Sequence, residues 1–590
     1  MTAKLFRYVK KYWIYAVLAP LCIAVEVILE VNIPRIMANI VDIGISNKDL
    51  DYITRMGILM ILMAILSLFF GALAARLASV ASTGYAKELR KGLFYKIQEF
   101  SFANIDKFTT ASLITRLTAD VNNAQMTFMM MIRMMIRAPM MLVMATVMAV
   151  TLNARLSVVF LAAIPILATV LFVISRAAHP KFRAMLKKYD KLNAVIQENL
   201  IGIRVVKAFV RADYENEKFC DIANQVREAQ IKAEKIVIWN MPIMQFVMYA
   251  CMLAVAWFGG NLIIAGEMQS GQLMGFISYI SQILISLMMI GMIFVMFVIT
   301  RASITRINEV LEEKIDITEK ESKVTEVKDG SVVFDNVSFS YAGKKGNLVL
   351  ENINLSIKPG ETIGIIGGTG SGKSTLVQLI PRLYDVTEGR VLVGGVDVRD
   401  YSLSHLRDAV AMVLQKNVLF SGTIKDNLRW GNGNATDEEI IEACKIAQAH
   451  DFIMSFPNGY DTVLGQGGVN VSGGQRQRLC IARALLKKPK VIILDDSTSA
   501  VDTATDSKIR EALRSEDLFS RIYKDLKKEK ITTIIIAQRI ASVMDADRII
   551  VMDDGRINAV GTHEELLNSN AIYREVYESQ LKGVAEYART

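Results

Sequence analysis

The chain has 590 residues, 52% of them hydrophobic and 22% charged, with a formal net charge of +9. That length exceeds one ordinary domain, and the apolar share is high for a purely water-soluble protein. The apolar residues crowd in before about residue 300, so a membrane half followed by a soluble half explains the basic balance better than nucleic acid, and no nucleic-acid partner is expected.

Lys4, Arg7, Lys10 and Lys11 precede the first apolar run. Six runs near 13–41, 57–81, 129–152, 156–178, 237–265 and 271–300 reach the ~20 residues that cross a bilayer core. The first is long enough to remain as a span, and no cleavable signal pattern precedes it. Segments near 87–116 and 176–218 are rich in Lys and Arg, whereas 43–55, 152–155 and 266–270 carry few. That asymmetry predicts a multi-pass protein of the cell membrane with both termini cytoplasmic. Between spans two and three, and again between four and five, long polar stretches contain only Pro180 as a proline, so helix can continue far beyond the bilayer. The five cysteines show neither CxxC nor metal spacing and read as buried small apolar residues.

The expected domains are 1–310 in the membrane, 311–330 as linker and 331–590 as the soluble domain. From Ser331 short β-rich runs appear, and Thr362–Ile366 and Val491–Leu494 read as strands buried on both faces of a parallel sheet. The first of these strands leads into Gly367-Gly368-Thr369-Gly370-Ser371-Gly372-Lys373-Ser374-Thr375, which fits the phosphate-binding loop pattern G-x-x-x-x-G-K-[ST]. Its glycines let backbone N–H groups approach phosphates, Lys373 supplies a point charge, and Ser374 offers a hydroxyl to Mg²⁺. The second strand ends in Asp495, the expected carboxylate partner of that metal.

Val471-Ser472-Gly473-Gly474-Gln475 closely resembles the signature of ATP-binding cassette (ABC) ATPases. With the phosphate loop and Asp495, it makes the whole chain similar to a half-transporter of the multidrug- or lipid-type ABC exporters. The fold that the resemblance implies is an all-α six-helix membrane domain fused to an α/β P-loop ATPase domain. By position, Tyr341 would stack on adenine. Gln415 would sit near Mg²⁺ and the membrane half. Ser472, Gly473, Gly474 and Gln475 would contact ATP held by the opposite subunit. Ser499-Ala500-Val501-Asp502 would cross the dimer. The implied cofactors are ATP and Mg²⁺, and the implied partner is a second half-transporter. Importers of the family usually keep spans and ATPase on separate chains, which favours export.

Two positions depart from the family pattern. Asp496 stands where Glu usually follows the metal-binding Asp, and Gln538 stands at the position of the switch His. Asp is shorter by about 1.5 Å of reach, and misplacing a catalytic group by about 1 Å can cost roughly 100-fold. Gln hydrogen-bonds but does not titrate near neutrality. Gln466 also replaces a Glu common before the signature. These changes resemble the degenerate subunit of heterodimeric exporters, which binds ATP and lends its signature to a catalytically complete partner. A homodimer with slow Asp/Gln chemistry is the alternative.

In the membrane half, Arg76, Arg133 and Arg137 read as snorkelling residues. Glu26, with Glu30 one turn away, is either a contact for cationic substrates or the partner of an Arg on a neighbouring helix. Stretches around Phe102–Thr110 and Ala208–Phe219 resemble the coupling elements that dock onto ATPase domains. Met-rich spans suggest a pliable cavity for hydrophobic or amphipathic small molecules. A lipid or peptide exporter with the same engine, and an ATP-gated regulator, stay open as readings.

Overall fold

The computed structural model describes residues 3–319, 323–343, 346–496, 501–523 and 530–587. It divides into two units: residues 1–98 with 109–313, and residues 99–108 with 314–590.

Among the described residues the first unit contains six helices long and apolar enough to cross a membrane. They include Trp13–Asn39, Leu50–Gln98, Val121–Leu152, Ala154–Ile201, Asn240–Ile264 and Ser270–Glu312, so every expected span is helical. Three run well past the bilayer thickness as continuous helix, because their polar extensions lack breakers other than Pro180. Asn153 turns the chain sharply between spans three and four, its side chain accepting from the N–H of Leu156 at 3.0 Å. Small and branched residues such as Val27, Val31, Ala145 and Ala149 pack around Phe160, Phe276 and Tyr279 inside the unit. Leu68, Phe69, Phe172 and Trp257 point outward and exposed, the inversion expected where the surroundings are lipid. The protein is thus a multi-pass membrane protein.

The charge at position 137 is not a snorkelling residue. Arg137 forks between two carboxylates of the first span, bonding Glu26 and, at 2.7 Å, Glu30. Glu26 therefore has an arginine partner on a neighbouring helix, the second of the two readings given for it. Gly71 on the second span leaves room for this clasp, since a Cβ there would lie 3.0 Å from Glu26 Oε1.

The second unit is built on strands β1 Val332–Phe339, β2 Leu350–Ile357, β3 Thr362–Gly367, β4 Glu388–Val393, β5 Val396–Asp397, β6 Val410–Val413, β7 Gly422–Thr423, β8 Val463–Leu464, β9 Val491–Asp495, β10 Thr532–Ile536, β11 Arg548–Asp553 and β12 Arg556–Gly561. The main sheet runs β12-β11-β3-β10-β9-β6. Its strands are parallel except for β12, and the interior ones are apolar on both faces, as helix-covered parallel strands must be. A smaller antiparallel sheet runs β2-β1-β4-β5. Register decides where the chemistry sits. Ile536 lies opposite both Ile365 and Asp495, so the residues after β3, β9 and β10 emerge side by side at the carboxyl edge, where α/β sheets bind ligands.

Residues 99–108 belong to this second unit. Their helix, Phe102–Lys107, starts at Ser101 with a capping box closed by Asn104. The Asn104 amide also donates to the Lys314 carbonyl at 3.0 Å. The sequence also carries a charged run from Lys524 to Lys530, of which residues 524–529 fall outside the described residues.

Candidate nucleotide site

The phosphate loop owes its shape to glycine. Gly370 and Gly372 have φ of 85° and 89°, values L side chains rarely adopt. A Cβ on Gly372 would also lie 2.8 Å from Leu350 Cδ2. Gly372 opens the helix Lys373–Gln378, whose Leu376 and Val377 anchor it in the core. Lys373 Nζ donates to the Gly367 and Gly368 carbonyls at 2.9 and 2.7 Å, so the ammonium sits over the loop mouth with Ser371 beneath it. Burial pushes its pKa down, while Asp495 and Asp496 oppose that shift. Ser374 Oγ donates to Asp495 Oδ1 at 2.9 Å. The proposed hydroxyl and carboxylate ligands of one Mg²⁺ are therefore already adjacent. Burial raises the Asp495 pKa, and the neighbouring Asp496 adds to the rise.

The far end of the site gathers the two unusual residues. Asp496 takes a left-handed backbone, φ 47°, an outlier of the kind that clusters at functional sites. Gln538 Nε2 donates to Asp496 Oδ2 at 2.8 Å, and Gln415 hydrogen-bonds the same carboxyl group. Burial nonetheless raises the Asp496 pKa. Three residues chosen from separate motifs thus form one hydrogen-bonded cluster beside Lys373.

Tyr341 is half-exposed, and its hydroxyl lies 3.0 Å from Thr375 Oγ1 at the end of the loop. Its ring stands edge-on to Tyr384, centroids 5.1 Å apart. Tyr384 was not anticipated from the sequence. It is buried, donates to Asp106 Oδ2 at 2.7 Å, and meets Phe102 edge-on at 6.0 Å. It thereby joins the helix Phe102–Lys107 to the tyrosine expected to carry adenine. Only the spacing from the loop, in Arg382-Leu383-Tyr384-Asp385, hints at it in the sequence.

The signature residues are placed elsewhere. Ser472 caps the helix Gly473–Leu485, accepting from the Gln475 N–H, and Gln475 returns a bond to the Ser472 N–H. That helix packs into a different hydrophobic core from the phosphate-loop helix. Among the described residues no hydrogen bond links Ser472, Gly473, Gly474 or Gln475 to residues 367–375. Gln466 opens a short turn just before the signature. Asp502 caps the next helix through the Thr505 N–H at 2.9 Å. Ser499 and Ala500 lie outside the described residues.

A P-loop on a parallel sheet, a separately packed signature helix and six membrane helices on one chain define an ATP-driven membrane translocase. Comparison with known proteins gives the family. Residues 16–288 match the ABC transporter transmembrane region, residues 350–499 the ABC transporter domain, and residues 433–586 a P-loop domain of ABC ATPases. The chain is 40% identical over 577 residues to the uncharacterized ABC transporter ATP-binding protein YfiB of Bacillus subtilis, covering 98% of each. It is 33% identical to a putative multidrug export ATP-binding/permease protein of B. subtilis, over 84% of this chain and 83% of that one. It is 32% identical to an ATP-dependent lipid A-core flippase of Syntrophus aciditrophicus, over 84% and 80%. Its fold matches a bacterial Atm1-family ABC exporter with ATP bound, with a TM-score of 0.77 at 23% identity, over 98% and 99% of the two chains. The chain belongs to the ABC transporter family; it has the exporter fold, and its soluble domain is an ATP-binding ABC ATPase.

Proposed function

We propose that this chain is the weakly hydrolytic subunit of a heterodimeric exporter that expels hydrophobic or amphipathic compounds from the cytoplasm, both termini lying on the cytoplasmic side. One observation carries the asymmetry: the two residues that depart from the family pattern are bonded to each other, Gln538 to Asp496 at 2.8 Å.

When bound, ATP and Mg²⁺ supply the phosphoanhydride and the charge neutralisation that its cleavage requires. The chain's own residues divide the remaining work. Lys373 and the loop N–H groups would hold the β and γ phosphates, Ser374 and Asp495 would hold the metal, and Tyr341 would carry the base. Asp496 is the group that would orient or deprotonate the attacking water. Its carboxyl group is already engaged by two amides, and its reach is about 1.5 Å short. Gln538 offers an amide where a titratable imidazole would respond to the terminal phosphate. Binding is therefore strong and cleavage slow. The separately packed signature of Ser472–Gln475 completes the partner's site, and closure of the nucleotide domains favours an outward-facing state of the spans.

Vanadate trapping on the purified pair tests this. The expected result is trapped nucleotide at least about 10-fold in favour of the partner's pocket, with little ATP turnover by the lone chain. Equal trapping in both pockets, or brisk turnover by the lone chain, overturns it. A lipid-like substrate is the second reading, favoured by the likeness to a lipid A-core flippase. Inverted vesicles separate the two by taking up either a cationic dye or a headgroup-labelled lipid.

A further inference from the structure

Ahead of the first span the chain forms a short elbow, ending in the 3₁₀ helix Arg7–Tyr12. Its inner face is fixed. Leu5 and Val9 are buried, and the rings of Tyr8 and Tyr12 lie directly on the second span. There, a Cβ on Gly92 would sit 2.5 Å from Tyr8 Cε1, and one on Gly84 would sit 2.6 Å from the Tyr12 ring. With three residues per turn, a 3₁₀ helix stacks positions i and i+3, so Arg7 and Lys10 share the outer face and Lys11 adjoins them. All three are exposed.

These side chains, with Tyr8 and Glu88, line an open groove of about 320 Å³. Among the described residues Glu88 pairs with Lys11, at 3.9 Å, and no ion pair involves Arg7 or Lys10. The groove therefore keeps a surplus of two positive charges: Arg7, Lys10 and Lys11 against Glu88. The residues on either side of the 3₁₀ helix in sequence are aromatic. Phe6 is 46% exposed and Trp13, the first residue of the membrane helix, is 58% exposed. Exposed aromatics beside cations at the start of a span mark the headgroup level of a bilayer. A cationic groove at that depth selects a phosphodiester with net negative charge.

We infer that the groove between the N-terminal elbow and the second span binds the headgroup of an anionic phospholipid. The elbow is then a lipid-reading clamp: its tyrosines fix it to glycine notches, its cations hold the phosphate, and Phe6 and Trp13 lie along the acyl boundary. This site is independent of which subunit cleaves ATP and of what is exported.

Native mass spectrometry of the purified full-length chain tests the inference, with phosphatidylglycerol and phosphatidylcholine as probes. Phosphatidylglycerol should be retained on the order of 10-fold better than phosphatidylcholine. The triple variant Arg7→Gln, Lys10→Gln, Lys11→Gln should lose that preference, Arg7→Lys with Lys10→Arg and Lys11→Arg should keep it, and Glu88→Gln should strengthen it. Retained ATP binding in each variant shows that it has folded. Equal retention of the two lipids by the native chain, or an unchanged preference in the triple variant, overturns the proposal. Displacement of phosphatidylglycerol by inorganic phosphate would also overturn it, since the site would then recognise a soluble anion.

Discussion

The two ends of the nucleotide site differ in how their polar groups are used. At the loop end, Lys373 bonds the carbonyls of its own loop and Ser374 bonds Asp495, the groups proposed for phosphate and metal. At the far end, Asp496 and Gln538 face each other, and Gln415 closes over the same carboxyl group. At both ends a bonded group must exchange partners before it acts, and each exchange recovers only part of the energy given up; a metal ion would take Ser374 and Asp495 together, whereas water and phosphate would have to separate Asp496 from Gln538. The difference favours the proposal that holding ATP and cutting it are separable properties of one pocket, since the loop follows β3 whereas Asp496 and Gln538 follow β9 and β10.

The harshest way to break the comparison is at the loop end. Lys373→Ala removes the one ammonium over the loop mouth, and truncating one partner of a close charge pair costs about 2–5 kcal/mol. ATP affinity, read by equilibrium binding of a fluorescent analogue, should fall roughly 100-fold. Retention of native affinity would mean that the loop carbonyls, not phosphate, are the working partners of Lys373.

The far end is tested in the opposite direction. Asp496→Glu together with Gln538→His restores both reach and a titratable imidazole, and should raise ATP turnover of the lone chain about 100-fold. Each single variant should deliver much less, because the unchanged residue remains at the same centre. If Asp496→Glu alone gives the full gain, Gln538 is not limiting and the site is degenerate at one position only.

Much of this was legible in the sequence because it is written in local patterns. Apolar run length marked the spans, and the glycine spacing of 367–372 marked the loop, since both encode backbone requirements directly. The pairing of Asp496 with Gln538 was not legible. It depends on β9 and β10 lying in register across a sequence separation of 42, and no periodicity reports that. Arg137 shows the same limit: near a span end its charge reads as snorkelling, yet packing turns it inward onto Glu26 and Glu30. Tyr384 was missed because its partners Asp106, Phe102 and Tyr341 come from distant parts of the sequence.

Electrostatics at the far end give a pH signature. Burial lifts the Asp496 pKa above its ordinary value of 3.8. The folded state then holds more protons than the unfolded one between that value and the raised one, so stability falls as pH rises through this window. Asp496→Asn removes this titration. Thermal melting of the metal-free protein should show a shallower loss of stability on raising the pH in the variant than in the native chain. An unchanged slope would place the proton on Asp495, whose pKa is raised by the same burial.

The smallest effect sharpens a third corner of the site, where Tyr384 links the helix Phe102–Lys107 to Tyr341. Tyr384→Phe keeps the edge-on ring contacts and removes only the hydrogen bond to Asp106, worth about 1 kcal/mol net. A bond that merely holds the unit together should lower the melting temperature slightly and leave ATP kinetics alone. A bond that sets the ring against which Tyr341 stands should raise the KM for ATP a few-fold at constant kcat, because base stacking contributes equally before and during cleavage. Measured on the active pair, that split between KM and kcat decides whether Tyr384 positions the adenine platform or only fills the space behind it.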